Sequence, residues 1–207
     1  MKIIVATNNQ GKLKEIKKLI NVRANGRLPL QLLCLSDIDT KIKIIENGKT
    51  FRENAIKKAV ITAKKLHMTA IADDSGLCVD ALKGGPGVKS ARFVRPPATS
   101  DRLCIKLLKT MKSLPCGKRG AKFVCCVAIA TPEGKMKTAE GICKGTITQE
   151  MSGSGGFGYD PVFIPDGQKR TFAQMPLSKK NIISHRGKAF VKAREILDLI
   201  AAKGSNK

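Results

Sequence analysis

Two adjacent acids form the part of the chain best suited to chemistry. Asp73 and Asp74 follow an apolar run that ends at Ala72, and a serine and Gly76 come next. If residues 69–72 form a strand, the carboxylates lie at its C-terminal end, where open α/β sheets place their ligands. Neighbouring strand residues point to opposite faces, so the two acids are expected to have different roles: one faces a metal or a water, and the other braces a turn. An acidic turn whose side chains only cap the backbone explains the same residues equally well.

A polar loop near the N-terminus has the setting of a phosphate site. The apolar residues 2–6 predict a strand, the polar residues 7–12 a loop, and the spacing of apolar side chains from Leu13 onward a helix. Such a loop offers free backbone N–H groups and the positive end of the helix dipole to an anion. Neither a Walker loop nor a dinucleotide-binding glycine pattern is present. The loop is therefore also compatible with a plain helix cap.

A third polar segment precedes the next helix. A turn is predicted at residues 46–48. Thr50 and Glu53 form a capping box that starts a helix at about Phe51, and this helix is predicted to end near Leu66. Taken alone, Glu53 is explained by closing this box. A lysine within the helix, Lys58, is explained as a solvated side chain.

The remaining pattern predicts a single α/β domain over residues 1–207 with a cleft between lobes. Further strands are predicted at residues 31–35, 41–45, 123–130 and 137–143, an amphipathic helix at 100–114, a stiff loop at 84–87 and a last helix from residue 184. A second glycine-rich loop, residues 153–161, contains the only tyrosine. Its Phe157 and Tyr159 offer flat faces for a base.

The net charge suggests a phosphate-bearing partner. The chain has 39 Lys and Arg against 16 Asp and Glu, a net charge of +23. The lysines are spread along the chain without interleaved aromatic residues, which disfavours a stacking platform for single-stranded nucleic acid. A lysine-rich proteome would give the same charge.

The cysteines and apolar runs indicate a reduced, soluble protein. Seven cysteines occur without C-x-x-C spacing, and the two histidines, His67 and His185, lie far apart, so no zinc site is predicted. Buried, reduced thiols in the cytoplasm are expected. No apolar run approaches the roughly 20 residues of a membrane span, and the N-terminal run of residues 3–6 is much shorter than the apolar region of a signal peptide.

Six segments together resemble the inosine triphosphate pyrophosphatase family, which hydrolyses non-standard purine nucleoside triphosphates. The segments are Thr7-Asn-Asn-Gln-Gly-Lys12, Glu46-x-Gly-x-Thr-Phe-x-Glu-Asn-Ala55, Ala72-Asp-Asp-Ser-Gly76, Pro86-Gly-x-x-Ser-Ala-Arg92, Gly156-Phe-Gly-Tyr-Asp-Pro161 and Ile183-Ser-His-Arg-Gly187. The resemblance covers nearly the whole chain. It implies a mixed, strongly twisted sheet flanked by helices, two lobes with a central substrate cleft, and a homodimer.

The resemblance also implies roles for the residues around the phosphates. The triphosphate would be held by the first loop, Thr7, Asn8, Asn9, Gln10, Gly11 and Lys12. Glu46 and Asp74 would bind Mg²⁺, and Asp74 would also accept the proton of the attacking water. The catalytic shell would be completed by Glu53, Lys58 and Asp73. These types suit the chemistry, since Mg²⁺ prefers oxygen ligands and phosphoryl transfer depends on positioning and charge neutralisation.

The nucleoside end would be bound by a second set of residues. Ser75 would contact the substrate. The base and sugar would be taken by Phe157, Gly158, Tyr159 and Asp160, with Phe157 stacking on the base. The purine edge would be read by Lys180, His185 and Arg186. Two positions depart from the family pattern: Gln174 stands where an acid is usual, and Lys179 stands where Glu is common.

The predicted reaction is hydrolysis of ITP, dITP and XTP at the α–β bond to the monophosphate and pyrophosphate. Two alternatives stay open at this point. One is a pyrophosphatase of the Maf type that acts on modified or pyrimidine nucleotides. The other is a basic nucleic-acid-binding module without catalysis.

Overall fold

The computed structural model of the chain describes residues 2–21, 30–38, 42 and 44–204. The chain divides into two compact units. Unit 1 contains Met1–Asp74, Cys125–Gly141 and Arg186–Lys207, and unit 2 contains Ser75–Val124 and Ile142–His185. The predicted cleft between lobes, and the prediction of one domain over the whole chain, stay predictions.

The sheet is mixed, as predicted. Its strands are β1 (Lys2–Val5), β2 (Gln31–Cys34), β3 (Ala70–Val79), β4 (Gly85–Pro86), β5 (Gly120–Ala130), β6 (Met136–Ile147) and β7 (Phe163–Pro165), in the order β2-β1-β3-β5-β6-β7, with β4 on β3. β1 pairs in parallel with β2 and β3, whereas β4 on β3 and β7 on β6 are antiparallel. The helices are α1 (Gln10–Asn21), α2 (Phe51–Leu66), α3 (Ser100–Thr110), α4 (Leu177–Ile183) and α5 (His185–Gly204).

The strands of unit 1 carry a hydrophobic core on each face. In β1, Ile3 and Val5 pack with α1 and α5, while Ile4 packs with α2 on the other face. β5 alternates in the same way from Cys125 onward. Alternation places successive side chains on opposite faces, so a strand that is apolar at every position is buried between two helical layers.

Helix α2 is the element that the sequence located best. It spans Phe51–Leu66, as predicted, and the hydroxyl of Thr50 accepts the Glu53 backbone N–H at 3.1 Å. The other half of the capping box differs, since the Glu53 carboxylate accepts the N–H of Lys49 and not that of Thr50. Small residues on the inner face, Ala55, Ala59 and Ala63, are fully buried and let the helix lie close to the sheet.

Unit 2 has a core of its own. Buried side chains of α3, including Leu103 and Leu107, pack in one cluster with Phe123 and Phe163. The ring centroids of Phe123 and Phe163 lie 4.7 Å apart in an edge-to-face arrangement. The predicted amphipathic helix therefore exists, although it ends at Thr110 and not at residue 114.

Two local predictions were wrong. Strand β3 does not end before the acids but continues through Asp73 and Asp74 to Val79, so Gly76 lies inside a strand and not in a turn. The predicted strand at residues 41–45 falls partly outside the described residues, and residues 42, 44 and 45 have no strand structure. The apolar residues there are not joined to a neighbouring strand.

The predicted burial of the thiols is confirmed for five of the seven cysteines. Five of the cysteines are buried, Cys78 is partly buried and Cys116 is exposed, all as free thiols. Within the described part of the chain, no helix combines the length and apolar character that crossing a membrane requires.

Candidate active site

Strand alternation sends the two adjacent acids to opposite faces of the sheet. Ile71 belongs to the core beneath α1 and α5, and Ala72 belongs to the core beneath α2. Asp73 therefore follows Ile71 towards α1 and α5, and Asp74 follows Ala72 towards α2. In β3, Ala70 and Ile71 pair in parallel with β1, so both acids lie just beyond the end of β1.

Asp73 lies in a buried cluster of opposite charges. Its Oδ2 is 3.0 Å from the Lys12 Nζ of α1 and 3.3 Å from the Arg186 guanidinium of α5. The same guanidinium contacts Glu15 at 2.6 Å. Burial alone would raise the pKa of Asp73, but Lys12, Arg186 and Lys58 outweigh it and hold that pKa well below its usual range. Asp73 is therefore a permanent anion whose task is to hold cations.

Asp74 has a different environment, as the alternation predicted. Its Oδ2 accepts a hydrogen bond from the Asn54 side-chain amide at 2.9 Å, and its Oδ1 lies 3.8 Å from Lys58 Nζ. Burial raises the pKa of Asp74, and the Lys58 charge opposes this shift without cancelling it. A carboxylate with a raised pKa is a better proton acceptor than a solvated one.

Lys58 joins Asp74 to the loop before α2. Its Nζ contacts Glu46 Oε1 at 2.5 Å, so the ammonium lies between two carboxylates. Burial would lower the pKa of Lys58, but the charges of Asp73, Asp74 and Glu46 raise it. The side chain is 11% exposed and charged at neutral pH, which excludes the solvated-lysine interpretation.

Three side chains of α2 fasten the loop that carries Glu46. The Asn54 carbonyl oxygen accepts the N–H of Gly48 at 2.8 Å, and the Glu53 carboxylate accepts the N–H of Lys49 at 2.8 Å. The Lys57 ammonium donates to the side chain of Asn47 at 2.8 Å. A Cβ on Gly48 would meet the Asn54 side chain at 2.7 Å, so this position requires glycine for close approach.

The pair Glu46 and Asp74 suits a hard divalent cation. Both carboxylates already face one cationic atom, Lys58 Nζ, from two sides. In the described part of the chain, no group of three or more His, Cys, Asp and Glu side chains is placed to hold a metal by itself. Two carboxylates with waters and phosphate oxygens are the mode that Mg²⁺ uses at phosphate-transfer sites.

Of residues 7–12, which were predicted as a loop, residues 7–9 precede α1 and residues 10–12 form its first turn. The Asn9 side chain accepts the Lys12 backbone N–H at 3.0 Å, and the Thr7 hydroxyl accepts the Asn9 N–H at 3.2 Å. Asn8, Asn9 and Gln10 are exposed. The helix therefore begins at Gln10, earlier than the predicted start, and the loop presents the N-terminal end of α1 to solvent.

In unit 2, the residues predicted to bind the nucleoside form a separate set of contacts. The Asp160 carboxylate accepts the Phe157 N–H at 2.8 Å and pairs with the Lys180 ammonium at 2.5 Å. The same ammonium lies 5.0 Å from the centre of the Phe157 ring. Gly156 adopts a φ of +73°, and a Cβ there would collide with the Asp160 carboxylate. The structure thus brings Phe157, Asp160 and Lys180 together.

Three predicted nucleoside contacts have other partners. The Tyr159 ring is 3% exposed and donates its hydroxyl to the Ser90 carbonyl at 2.9 Å, so it does not offer a flat face. The buried imidazole of His185 stacks on Phe123, with ring centroids 4.6 Å apart. The guanidinium of Arg186 pairs with Asp73 and Glu15 in unit 1, and its contact with the purine edge stays a prediction. Ser75 is half-buried on β3.

Sequence reasoning left two residues of unit 1 without a role. Asn54 is 1% exposed and joins Asp74 to the Glu46 loop, although it was visible only as one letter of a motif. Glu15 is 3% exposed and pairs with Arg186. The available signal was that Glu15 is the single acid of α1, surrounded by lysines.

Comparison with known proteins gives a uniform result. The model of the Ham1 family matches residues 3–196. A dITP/XTP pyrophosphatase of Desulforamulus reducens is 47% identical over 198 residues, which is 96% of each protein. That of Geobacter sulfurreducens is 43% identical over 196 residues, 95% of this chain and 96% of that protein.

Solved structures agree. A Ham1 protein of Staphylococcus aureus superposes with a TM-score of 0.82 at 36% identity, and a HAM1 protein of Coxiella burnetii with 0.84 at 34%. Each comparison covers 95% of this chain and 98% of the other.

Proposed function

This chain belongs to the Ham1 family, and from that membership we propose that it hydrolyses the non-standard purine nucleoside triphosphates ITP, dITP and XTP to the monophosphate and pyrophosphate. The reaction makes it a hydrolase of phosphoric anhydride bonds. The two relatives at 43% and 47% identity are named dITP/XTP pyrophosphatases, and each match covers 96% of the relative.

The observation that carries the proposal is the position of Lys58 between Glu46 and Asp74. Two carboxylates converge on a single ammonium in a largely buried setting, at 2.5 and 3.8 Å. The arrangement provides a cation for phosphate oxygens and two oxygen donors for a metal ion.

The triphosphate is held through charge and backbone donors. We place it at the loop of residues 7–12, whose Asn9 cap leaves the first turn of α1 facing solvent. Lys12 is oriented by its 3.0 Å contact with Asp73. Arg186 contacts the same carboxylate and is itself paired with Glu15. This buried cluster therefore orients the Lys12 ammonium through a buried carboxylate and not through a solvated one.

Asp74 is the proton acceptor for the attacking water. The Asn54 amide orients this carboxylate through Oδ2, and its Oδ1 faces Lys58. The raised pKa of Asp74 suits this task. Glu46 and Asp74 would hold a Mg²⁺ ion, and that ion would neutralise charge on the phosphate oxygens. Glu53 contributes by fixing Lys49 in the loop that carries Glu46.

The base and sugar are assigned to unit 2. Phe157 stacks on the base, and Lys180 donates to its edge, because Asp160 holds both in place. Gly158 belongs to the same loop and is assigned to the base and sugar with Phe157. Ser75 contacts the substrate from β3. Tyr159 and His185 support this region from within the core, and Arg186 acts on the phosphate side through Asp73. A homodimer and a cytoplasmic location complete the proposal.

One assay tests the function against both alternatives. Purified protein is incubated with Mg²⁺ and a panel of ITP, dITP, XTP, ATP, GTP and pyrimidine triphosphates, and ³¹P NMR identifies the products. Pyrophosphate released from ITP, dITP and XTP in preference to the others supports the proposal. Turnover of pyrimidine nucleotides alone would favour the Maf-type reaction. No turnover, with salt-sensitive binding of DNA, would favour a nucleic-acid-binding module.

A further inference from the structure

A cavity in unit 2 lies outside every residue used so far in the reaction. It has a volume of about 350 Å³ and opens beside the turn that follows β7. Its lining comes from two neighbouring segments, residues 167–170 and residues 174–176 with Lys179 at the start of α4. The volume is at the lower end of the range of about 300–1,000 Å³ that is typical of small-molecule sites.

The side chains around this cavity are strongly basic. Lys169, Arg170 and Lys179 line it, and among its lining residues, all of them described in the structure, none is acidic. The carboxylate nearest in sequence, Asp166, lines a different cavity. Three like charges around one concavity repel one another, and a bound anion would relieve that repulsion.

Two of the lining residues differ in the part they play. Lys179 adds a positive charge at the start of α4, whereas Gln174 is uncharged. The Gln174 side-chain oxygen accepts the Thr171 N–H at 2.9 Å and closes a capping box. The turn beside the cavity is therefore held by an uncharged side chain, and no negative charge is added to the lining.

We propose that this cavity binds a small phosphate-bearing anion of the size of pyrophosphate. Arg170 can bind phosphate oxygens through two parallel N–H bonds, and the two lysines add point charges. A strand of nucleic acid fits less well, because the basic side chains surround one concavity and its lining has no aromatic residue on which a base could stack.

The test is a titration of the full-length ¹⁵N-labelled protein with sodium pyrophosphate in EDTA, followed by the amide resonances of residues 167–179. Pyrophosphate is also the product of the proposed reaction, so the amides of residues 7–12 are followed separately. We expect saturable shifts in both sets below about 10 mM. In Lys179→Glu, the apparent Kd for residues 167–179 should rise by about tenfold or more, with residues 7–12 unaffected.

Two controls make the outcome decisive. Lys106→Glu carries the same charge change on the exposed face of α3 and should leave both apparent Kd values unchanged. An oligonucleotide titration shows whether phosphate in a polymer is preferred. A sodium chloride titration of equal ionic strength shows the shifts that salt alone produces. The proposal is overturned if pyrophosphate shifts the amides of residues 167–179 linearly and no more than this salt does. It is also overturned if Lys179→Glu leaves their apparent Kd unchanged, or if only the oligonucleotide binds there.

Discussion

Removing the side-chain amide of Asn54 should loosen two parts of the proposed site at once. Asn54→Leu keeps a similar volume at a position that is 1% exposed, but it deletes the bond to Asp74 Oδ2 at 2.9 Å and the bond from Gly48 at 2.8 Å. Each buried group left without its partner costs about 1–3 kcal/mol, and the charged one costs the most. We expect the free energy of unfolding to fall by about 2–4 kcal/mol.

The same substitution should also lower activity. The Gly48 bond fixes the loop that carries Glu46, so its loss lets that carboxylate move away from Lys58. Because the Asn54 bond lowers the pKa of Asp74, its loss should raise that pKa further and move the acidic limb of the kcat profile upward.

Urea unfolding and a pH series of ITP hydrolysis measure the two effects of Asn54→Leu. Lys57→Met is the matched control, since it removes an exposed bond from the same helix to the same loop and should cost less than about 0.5 kcal/mol. If Asn54→Leu were as stable as Lys57→Met and equally active, the bridging role of Asn54 would be wrong.

Three further predictions follow from the buried charges and thiols. Arg186→Met should lower the free energy of unfolding by about 3–5 kcal/mol, because Glu15 and Asp73 stay buried after losing this cation and Asp73 keeps Lys12. The ITP/ATP ratio of kcat/KM in the folded fraction should stay within about threefold, and a larger change would show that Arg186 reads the purine edge. The pKa of Asp73 in the folded protein lies below the usual 3.8, so its ionised form stabilises the fold above pH 3.8, and this stabilisation is lost as the pH falls below that value. The difference in the free energy of unfolding between wild type and Asp73→Asn should therefore shrink below pH 3.8. A constant difference would contradict the assigned ion pairs. A disulfide reagent should modify Cys116 rapidly, the partly buried Cys78 more slowly, and the five buried thiols only on denaturation, because burial raises the pKa of Cys126 to about 11 and that of Cys104 to about 12; fast modification of the buried thiols would contradict the packing.

The sequence located those features that depend on local pattern. Helix α2 has the predicted bounds because its N-cap, its alanine face and its length are all encoded within 17 residues, from Thr50 to Leu66. The opposite roles of Asp73 and Asp74 followed from strand alternation alone. Their grouping with Glu46 and Lys58 came from the family resemblance, because spacing does not reveal which helix covers which face.

The sequence failed where a side chain's partner lies far along the chain. Arg186 pairs with Glu15 across 171 positions, and no local pattern marks that pair. Tyr159 looked available because it follows glycines, yet the turn directs its ring into the core of unit 2. Strand β3 passes through two acids because their charges face cations from three helices, which offset part of the cost of burying them.

The central claim is that the Asp74 carboxylate drives hydrolysis of the triphosphate. The most direct measurement is kcat for ITP of Asp74→Asn beside wild type, with Asp80→Asn as an exposed control of identical chemistry and circular dichroism to verify folding. Loss of a general base costs about 10²–10⁴-fold, so we predict a fall of at least about a hundredfold for Asp74→Asn and none for Asp80→Asn. A folded Asp74→Asn protein that retains more than about a tenth of the wild-type kcat would contradict the account.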